Sequence, residues 1–355
     1  MKILYPFDNP EKALNPYVLT IVQGLKKNSS DLEIVCSIAE FWTTNEVFDI
    51  VHIMWPDMLL KEHFRKKYSF KNLYDRLRWF IVRGCQIVST CHNLLPHYNS
   101  DDDYRKAYEV VYSNSKLIIH LGTYSLQLFE KQYPNVKHVE IPHHVYDQIY
   151  TYIPSKAEAR KKLGLSMNKK YVLCFGMFRS DEERDMIKNL SKQLQRYGIE
   201  IIAPTFSYVA RRKNMLAESG RLLKYFRLSL CYPHIKKHIG LVSNDMLPYY
   251  CCACEVALLQ RVNILNSGNV PLNFYFGNVV VGPNVGNVGC ILNKTNNFTF
   301  DIHDIHGTLL NSVLEAFEMV DSGLGKHNRD IALETLNTNQ ICKKLLKYYN
   351  EIVKS

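Results

Sequence analysis

The chain has no run of about 18 uninterrupted apolar residues, so it offers no segment able to cross a bilayer as a helix. Its opening stretch, MKILYPFDNP, carries an apolar run too short for the core of a secretory signal, and Asp8 follows at once. The expected location is therefore the cytoplasm. No low-complexity tract and no repeat of fixed period is present, which excludes fibrous and solenoid classes. The ten cysteines are scattered apart from Cys251, Cys252 and Cys254, a trio without the paired spacing of a zinc site. Reduced, buried thiols are the expectation in a cytoplasmic protein. The triple aspartate Asp101-Asp102-Asp103 lacks the context of a metal motif and reads as a solvated helix start. No metal is expected.

What is present is an ordinary globular composition, 46% hydrophobic and 22% charged over 355 residues, long enough for two cores. The net charge of +10 is unevenly placed. Residues 1–150 carry 17 Lys/Arg against 17 Asp/Glu, residues 151–240 carry 19 against 7, and residues 241–355 carry 8 against 10. A basic central block is compatible with nucleic acid, anionic lipid or a phosphorylated small molecule, and also with a solvated lysine-rich surface. No nucleic-acid-binding motif accompanies the charge, so no nucleic-acid partner is expected.

Hydrophobic periodicity alternates between strand and helix. Strands are expected at 2–5, 32–37, 49–54, 85–91, 116–121 and 137–141. A helix begins at Asn15-Pro16, with Asn15 as cap and Pro16 at the first helical position. Further helices are expected at 102–113 and 123–133. After the turn around Pro154, Ser155 and Glu158 have capping-box spacing. Strands then fall at 170–176, 199–203, 236–241, 255–259 and 278–282, and helices at 181–197, 243–252, 268–276, 305–322 and 339–353. The expected fold is α/β: two Rossmann-like, doubly wound parallel-sheet domains facing across a cleft, with ligands at the carboxyl ends of the strands. The boundaries are 1–150, 151–338 and a C-terminal helix, 339–355, returning to the first domain.

The segment 260–289, QRVNILNSGNVPLNFYFGNVVVGPNVGNVG, carries the most chemistry. Asn266-Ser267-Gly268 is a turn before a helix, where backbone N–H groups suit a phosphate and Gly268 admits close approach. GPNVGNVG reads as a second, flexible glycine-rich loop. The competing reading is an ordinary capped helix.

This segment resembles the donor-binding region of family-4-type GT-B glycosyltransferases, in a bacterial subgroup with an NSG stretch in place of paired glutamates. The resemblance extends in order along the chain through FDIVHIMWPD, VSTCHNLLPH, IPHHVYDQIY, YVLCFGMFRSDEERDMI and HIGLVSNDMLPYYCCACEVALLQ, in which Glu255 stands where an aspartate is usual. It implies a retaining, metal-independent transfer of sugar from a nucleotide-diphosphate sugar to a saccharide or lipid-linked saccharide acceptor, in bacterial surface polysaccharide synthesis. The nucleotide sugar is then a co-substrate, and no cofactor is expected. Two glutamates of the broader family fall at Ile264 and Leu272, and its lysine falls near Glu182, so those contacts are absent. A catalytically inactive, sugar-nucleotide-binding or regulatory protein is the alternative.

Sugar transfer develops negative charge on a leaving diphosphate, which cations and aimed N–H groups stabilise. On that basis Arg179 is the expected catalytic cation, and Asn266, Ser267, Gly268, Asn269, Arg261 and Asn273 are expected at the donor. Arg184, Arg211, Arg212 or Arg261 could supply a second cation. His92, at a strand end, is expected to bond the transferred sugar or carry a proton, against a purely structural reading. Asn15, Tyr17, Asn93 and His97 are expected at the acceptor; Asn15 reads equally as a simple cap. His143 and His144 close the first domain; one of them facing the cleft and neither facing it are equal readings. The stretch 61–83 has eight cations, two acids and interleaved aromatics, which suits an anionic surface on the inner face of the cell membrane, or a helix packing its aromatics inward.

Overall fold

The computed structural model describes residues 1–13, 15–61, 67–95, 102–207, 223, 225–238 and 241–354. It divides into two compact units, Met1–Ile149 with Thr335–Ser355, and Tyr150–Glu334. Each is built on a six-stranded, wholly parallel sheet.

In the first unit the strands are β1 (Lys2–Tyr5), β2 (Glu33–Cys36), β3 (Ile50–Ile53), β4 (Gln86–Cys91), β5 (Leu117–His120) and β6 (Lys137–Glu140), ordered β2-β1-β3-β4-β5-β6. The central strands are buried along their whole length, as parallel strands covered on both faces must be. One face packs on the helix Tyr17–Asn28 and on the C-terminal helix Thr338–Lys354, through Ile21, Leu25, Ile341, Leu345 and Ile352. Helices Ile38–Thr43, Phe70–Ile81 and Asp102–Ser113 cover the other face. The two helices of the first layer meet so closely that a Cβ at Gly24 would lie 2.5 Å from the Cys342 sulfur.

A buried polar chain runs beneath the C-terminal helix. The Tyr5 and Tyr349 hydroxyls are 2.6 Å apart, Tyr349 Oη bonds His52 Nδ1, and His52 Nε2 lies 2.8 Å from Thr90 Oγ1. All four sit inside the sheet–helix layer, so the chain satisfies groups that would otherwise be costly to bury.

In the second unit the strands are β7 (Lys170–Leu173), β8 (Ile199–Ile202), β9 (Ile235–Lys236), β10 (Val256–Leu258), β11 (Val279–Pro283) and β12 (Phe298–Phe300), ordered β12-β11-β10-β7-β8-β9. The capping box at Ser155 and Glu158 is present and opens the helix Lys156–Leu163. Arg160 of that helix is fully buried, donating to the carbonyls of Ala253 and Met167 and pairing with Glu255 at 2.7 Å. Glu255 also accepts from the Tyr171 amide at 3.1 Å, so this carboxylate fixes β7 beside β10. All ten cysteines are reduced; Cys231 and Cys290 are exposed, contrary to the expectation of uniform burial.

Three local readings differ from the structure. The helix after Asn15 starts at Tyr17, with Pro16 just outside it, although the Asn15 side chain does accept from the Tyr17 amide at 3.1 Å. GPNVGNVG is no flexible loop: it ends β11 and opens the helix Gly286–Lys294, because its glycines serve close packing. β12 and the helix Leu324–Thr335 have no counterpart in the expected element list.

Burial holds His52 and His120 neutral, pushing both down to about 3; for His120 the neighbouring His138 adds to the effect. In the unfolded chain each takes up a proton near pH 6.5. Between those values the unfolded state binds more protons, so stability falls as pH falls, by up to about 1.4 kcal/mol per pH unit for each histidine. Urea midpoints measured at pH 7 and pH 5 should show this loss, and His52→Gln should reduce it; an undiminished slope in that variant would exclude His52 as a source.

Candidate functional site

In the second unit the order reads outward in opposite directions from β7 and β10, which are adjacent though far apart in sequence. Segments leaving neighbouring strands at such a reversal diverge to opposite faces and leave a crevice at the carboxyl edge. Arg179 follows β7, and the stretch Gln260–Asn269 follows β10.

These two segments are tied together at consecutive backbone carbonyls. Asn269 Nδ2 donates to Phe175 O at 2.8 Å, Gln260 Nε2 to Gly176 O at 3.4 Å, and the Arg261 guanidinium to Met177 O at 2.9 Å. Thr205, after β8, donates its hydroxyl to Gly176 O as well. Gly176 has φ +112°, where any other side chain is strained, and a Cβ there would stand 3.1 Å from Asn269 Nδ2 and press on the amide that makes the tie.

Arg179 is exposed, and its backbone N–H donates to Glu183 Oε2 at 2.8 Å. Glu183 is buried in the first turn of the helix Asp181–Leu194, whose cap, Ser180, accepts from the Glu183 amide. Its other oxygen lies 3.7 Å from Arg261 Nε. Glu183 therefore braces both the Arg179 loop and Arg261. Sequence reasoning passed over it, although Ser180 and Glu183 have the same spacing as the capping box read at Ser155. Arg184 is buried and donates to the carbonyls of Phe178, Ser180 and Phe206, so its cation is committed to shaping the loop. Arg211 and Arg212 lie outside the described residues.

Asn266 Oδ1 accepts from Asn287 Nδ2 at 2.7 Å, and the Leu265 carbonyl accepts from the Asn287 amide at 2.9 Å. The NSG turn is thereby held against the start of the helix Gly286–Lys294. A Cβ at Gly286, where φ is +55°, would lie 3.0 Å from Ile264 O and Leu265 O. Ser267 Oγ accepts from the Asn269 amide at 3.3 Å, ahead of the helix Asn269–Tyr275. Asn273 is buried within that helix and donates to Asn269 O at 2.7 Å. Its Nδ2 is thus used within the helix, its Oδ1 is buried without a hydrogen-bond partner, and it lies deeper than the half-buried Asn266, Ser267, Gly268 and Asn269.

In the first unit the strand order reverses between β1 and β3, and an aromatic cluster stands at the corresponding edge. Tyr17 contacts His92, His143 and His144 at ring distances of 4.7, 4.8 and 4.8 Å. Trp55, just beyond β3, stacks on His92 at 4.6 Å and meets Phe7 at 5.7 Å. Asn15 Oδ1 accepts from Tyr146 Oη at 3.1 Å, joining the 15–17 turn to the end of the unit's first span. His143 and His144 are held below the ordinary histidine range by burial first, and His143 also by His144 beside it. The same cause raises the Tyr17 phenol. Burial thus favours the neutral forms of His143, His144 and Tyr17 within a largely buried ring cluster. Asn93 is buried, with its carbonyl accepting from Tyr112 Oη at 2.8 Å; His97 lies outside the described residues. Trp55 was not singled out from sequence; its place at a strand end beside VHI was the available signal.

The stretch 61–83 is partly described. Leu73, Leu77 and Phe80 of its helix point into the core, Tyr68 stacks on Trp42 at 3.8 Å, and Arg76 lies over Trp79 and Phe80 while donating to the carbonyls of Phe41 and Thr44. Among the described aromatics of this stretch, Tyr68, Trp79 and Phe80 make contacts within the unit, and Tyr74 is exposed.

No protein-family model and no curated protein matches the chain. Solved structures do. A sucrose-phosphate synthase from Thermosynechococcus elongatus aligns with TM-score 0.69 and 13% identity, covering 99% of each chain. Anabaena Alr3699/HepE, solved in complex with UDP, aligns with TM-score 0.68 and 14% identity over 99% of this chain and 100% of that one. A putative UDP-N-acetylglucosamine 2-epimerase from Listeria monocytogenes aligns with TM-score 0.59 and 10% identity over 99% and 97%. The architecture is that of GT-B glycosyltransferases, two parallel α/β sheets with flanking helices.

The Glu183 brace can be tested directly. Glu183→Gln keeps the shape but removes the charge facing Arg261, and should cost about 1–3 kcal/mol in chemical denaturation. An unaltered midpoint would mean that this carboxylate does not hold the loop.

Proposed function

We propose that the chain is a glycosyltransferase that takes a sugar from a nucleotide-diphosphate sugar and passes it to a saccharide or lipid-linked saccharide acceptor. The observation carrying this reading is the tie between the segments after β7 and β10, made by Asn269, Gln260 and Arg261 on three successive carbonyls. It sets an exposed guanidinium, Arg179, and the Asn266-Ser267-Gly268 turn on one carboxyl edge. HepE, of the same fold, was solved with UDP, which makes uridine nucleotides the first to try.

In this reading the donor diphosphate lies over the turn 266–269, with Arg179 meeting the negative charge that grows on the leaving phosphate. Arg261 acts by placing the 175–177 backbone rather than as a second mobile cation. The ring-lined edge of the first unit takes the acceptor, with Tyr17 and Trp55 as apolar walls for sugar faces and His92 as the polar group within reach. Asn15 holds Tyr17 in place. Retention without a metal, and a setting in surface polysaccharide synthesis, rest on the sequence resemblance.

A second reading has one observation in its favour: Ile264 and the buried Leu272 stand where the resembled family carries donor-binding carboxylates. A protein that binds the nucleotide sugar without turning it over would share this geometry.

The two separate in one set of measurements. A bound nucleotide sugar at about 100 times its dissociation constant should stabilise the protein by about 2.7 kcal/mol in a thermal-shift screen of UDP-, GDP- and CMP-sugars. Release of nucleotide by the purified protein should fall about 10²–10³-fold in Arg179→Ala, with an unchanged melting temperature. Stabilisation without release points to the inactive binder; no stabilisation by any of the three classes overturns both readings.

A further inference from the structure

We propose that Asn287 is a positioning residue for the donor diphosphate, on the nucleotide-sugar reading given above: it sets the shape of the turn 266–269 without touching the ligand. β10 lies between β7 and β11 and runs parallel to both, so the segments that follow these three strands leave at one edge. The segment after β10 is therefore flanked twice. On the β7 side, Gln260, Arg261 and Asn269 reach the 175–177 carbonyls and fix the two ends of the stretch 260–269. On the β11 side, one residue fixes its middle. The Asn287 backbone N–H donates to Leu265 O at 2.9 Å, and its Nδ2 donates to Asn266 Oδ1 at 2.7 Å. Two consecutive residues, immediately before Ser267 and Gly268, are thus held by the main chain and the side chain of a single asparagine.

Burial separates the residue that acts from those that can be touched. Asn266, Ser267, Gly268 and Asn269 are half-buried, so a ligand can reach them. Asn287 is 0% exposed, so it acts on a ligand only through Asn266 and Leu265. Its amide has no water to turn to, and a buried amide that loses its partner is costly, so the bond to Asn266 is kept. Its backbone is fixed as well. Asn287 stands second in the helix Gly286–Lys294, after Gly286, whose positive φ carries the chain within about 3 Å of the 264–265 backbone. The polar group that aims the turn is therefore supplied by the strand beyond it, and a diphosphate lying on 266–269 meets a surface shaped before it arrives.

The test is a double-mutant cycle on the purified full chain, read by titration with UDP and GDP. Asn287→Ala and Asn266→Ala should each weaken, by about tenfold, the nucleotide that the unaltered protein binds. The double variant should be no weaker than the weaker single one, because all three lack the same bond. Asn287→Ser, which leaves a smaller void at the buried position, takes the place of Asn287→Ala in the cycle if that variant does not fold. Failure of both nucleotides to bind the unaltered protein overturns the nucleotide-sugar reading and this proposal with it. Affinity that stays within about twofold in the folded Asn287 variant, with only the melting temperature lowered, overturns the proposal alone and leaves Asn287 a purely structural residue. Losses that add in the double variant also overturn it, since Asn266 would then act independently of Asn287.

Discussion

The second unit is organised by the parallel pairing of β7 with β10, in which Val172 faces Val256 and Leu173 faces Ala257. Because the strands run the same way, both must leave at one edge and return by covered crossovers. Glu255, bonded to the Tyr171 amide and to buried Arg160, holds this pairing from the other end of the strands. Everything at the candidate donor edge follows from it. Asn269, Gln260 and Arg261 find the 175–177 carbonyls only if the two strand ends are neighbours, and the φ of +112° at Gly176, where other side chains are strained, lets its carbonyl take part in the tie. A binding site needs its groups fixed before a ligand arrives, and at this candidate edge the fixing is done by backbone carbonyls rather than by side-chain pairs alone.

The two units solve the same architectural problem with different chemistry. Both have six parallel strands and one reversal of strand order. In the second, the edge at the reversal is furnished with amides, a hydroxyl and guanidinium groups, suited to phosphate oxygens. In the first it is furnished with Tyr17, Trp55, His92, His143 and His144, packed ring on ring, and burial favours the neutral imidazoles of His143 and His144. A charged donor and an uncharged sugar acceptor would call for this division.

Much of the fold was legible from sequence because parallel strands buried on both faces read as short apolar runs. IVHI, LIIH and VVVGP stand out in this way between periodic helices. The readings that failed did so for local reasons. Gly286 and Gly289 look like loop residues, yet one accommodates a positive φ and a 3.0 Å approach to the 264–265 backbone, and the other a 2.9 Å approach to Asn284. β12, FTF, is a three-residue edge strand with too little pattern to register. At the site, Arg179 and the NSG turn could be named from sequence, but the work of Arg261, Arg184 and Glu183 could not. Their partners are backbone carbonyls and amides, which leave no mark in a one-dimensional pattern. Asn273, named beside the motif, is buried with its Nδ2 on the carbonyl four residues before it, a bond the sequence pattern does not display.

The first unit is assembled from both ends of the chain, and the second is a continuous insertion within it. Ile341, Leu345, Tyr349 and Ile352 complete a core laid down by residues near the start, and Tyr349 closes the polar chain through His52. On the ribosome the second unit can therefore finish while the first still lacks one of the two helices that cover this face. During that interval the face that will receive the last helix, lined by Ile21, Met54 and Ile141 with His52 among them, stands open to water or to a chaperone. A chain cut before Thr338 would leave that face open permanently.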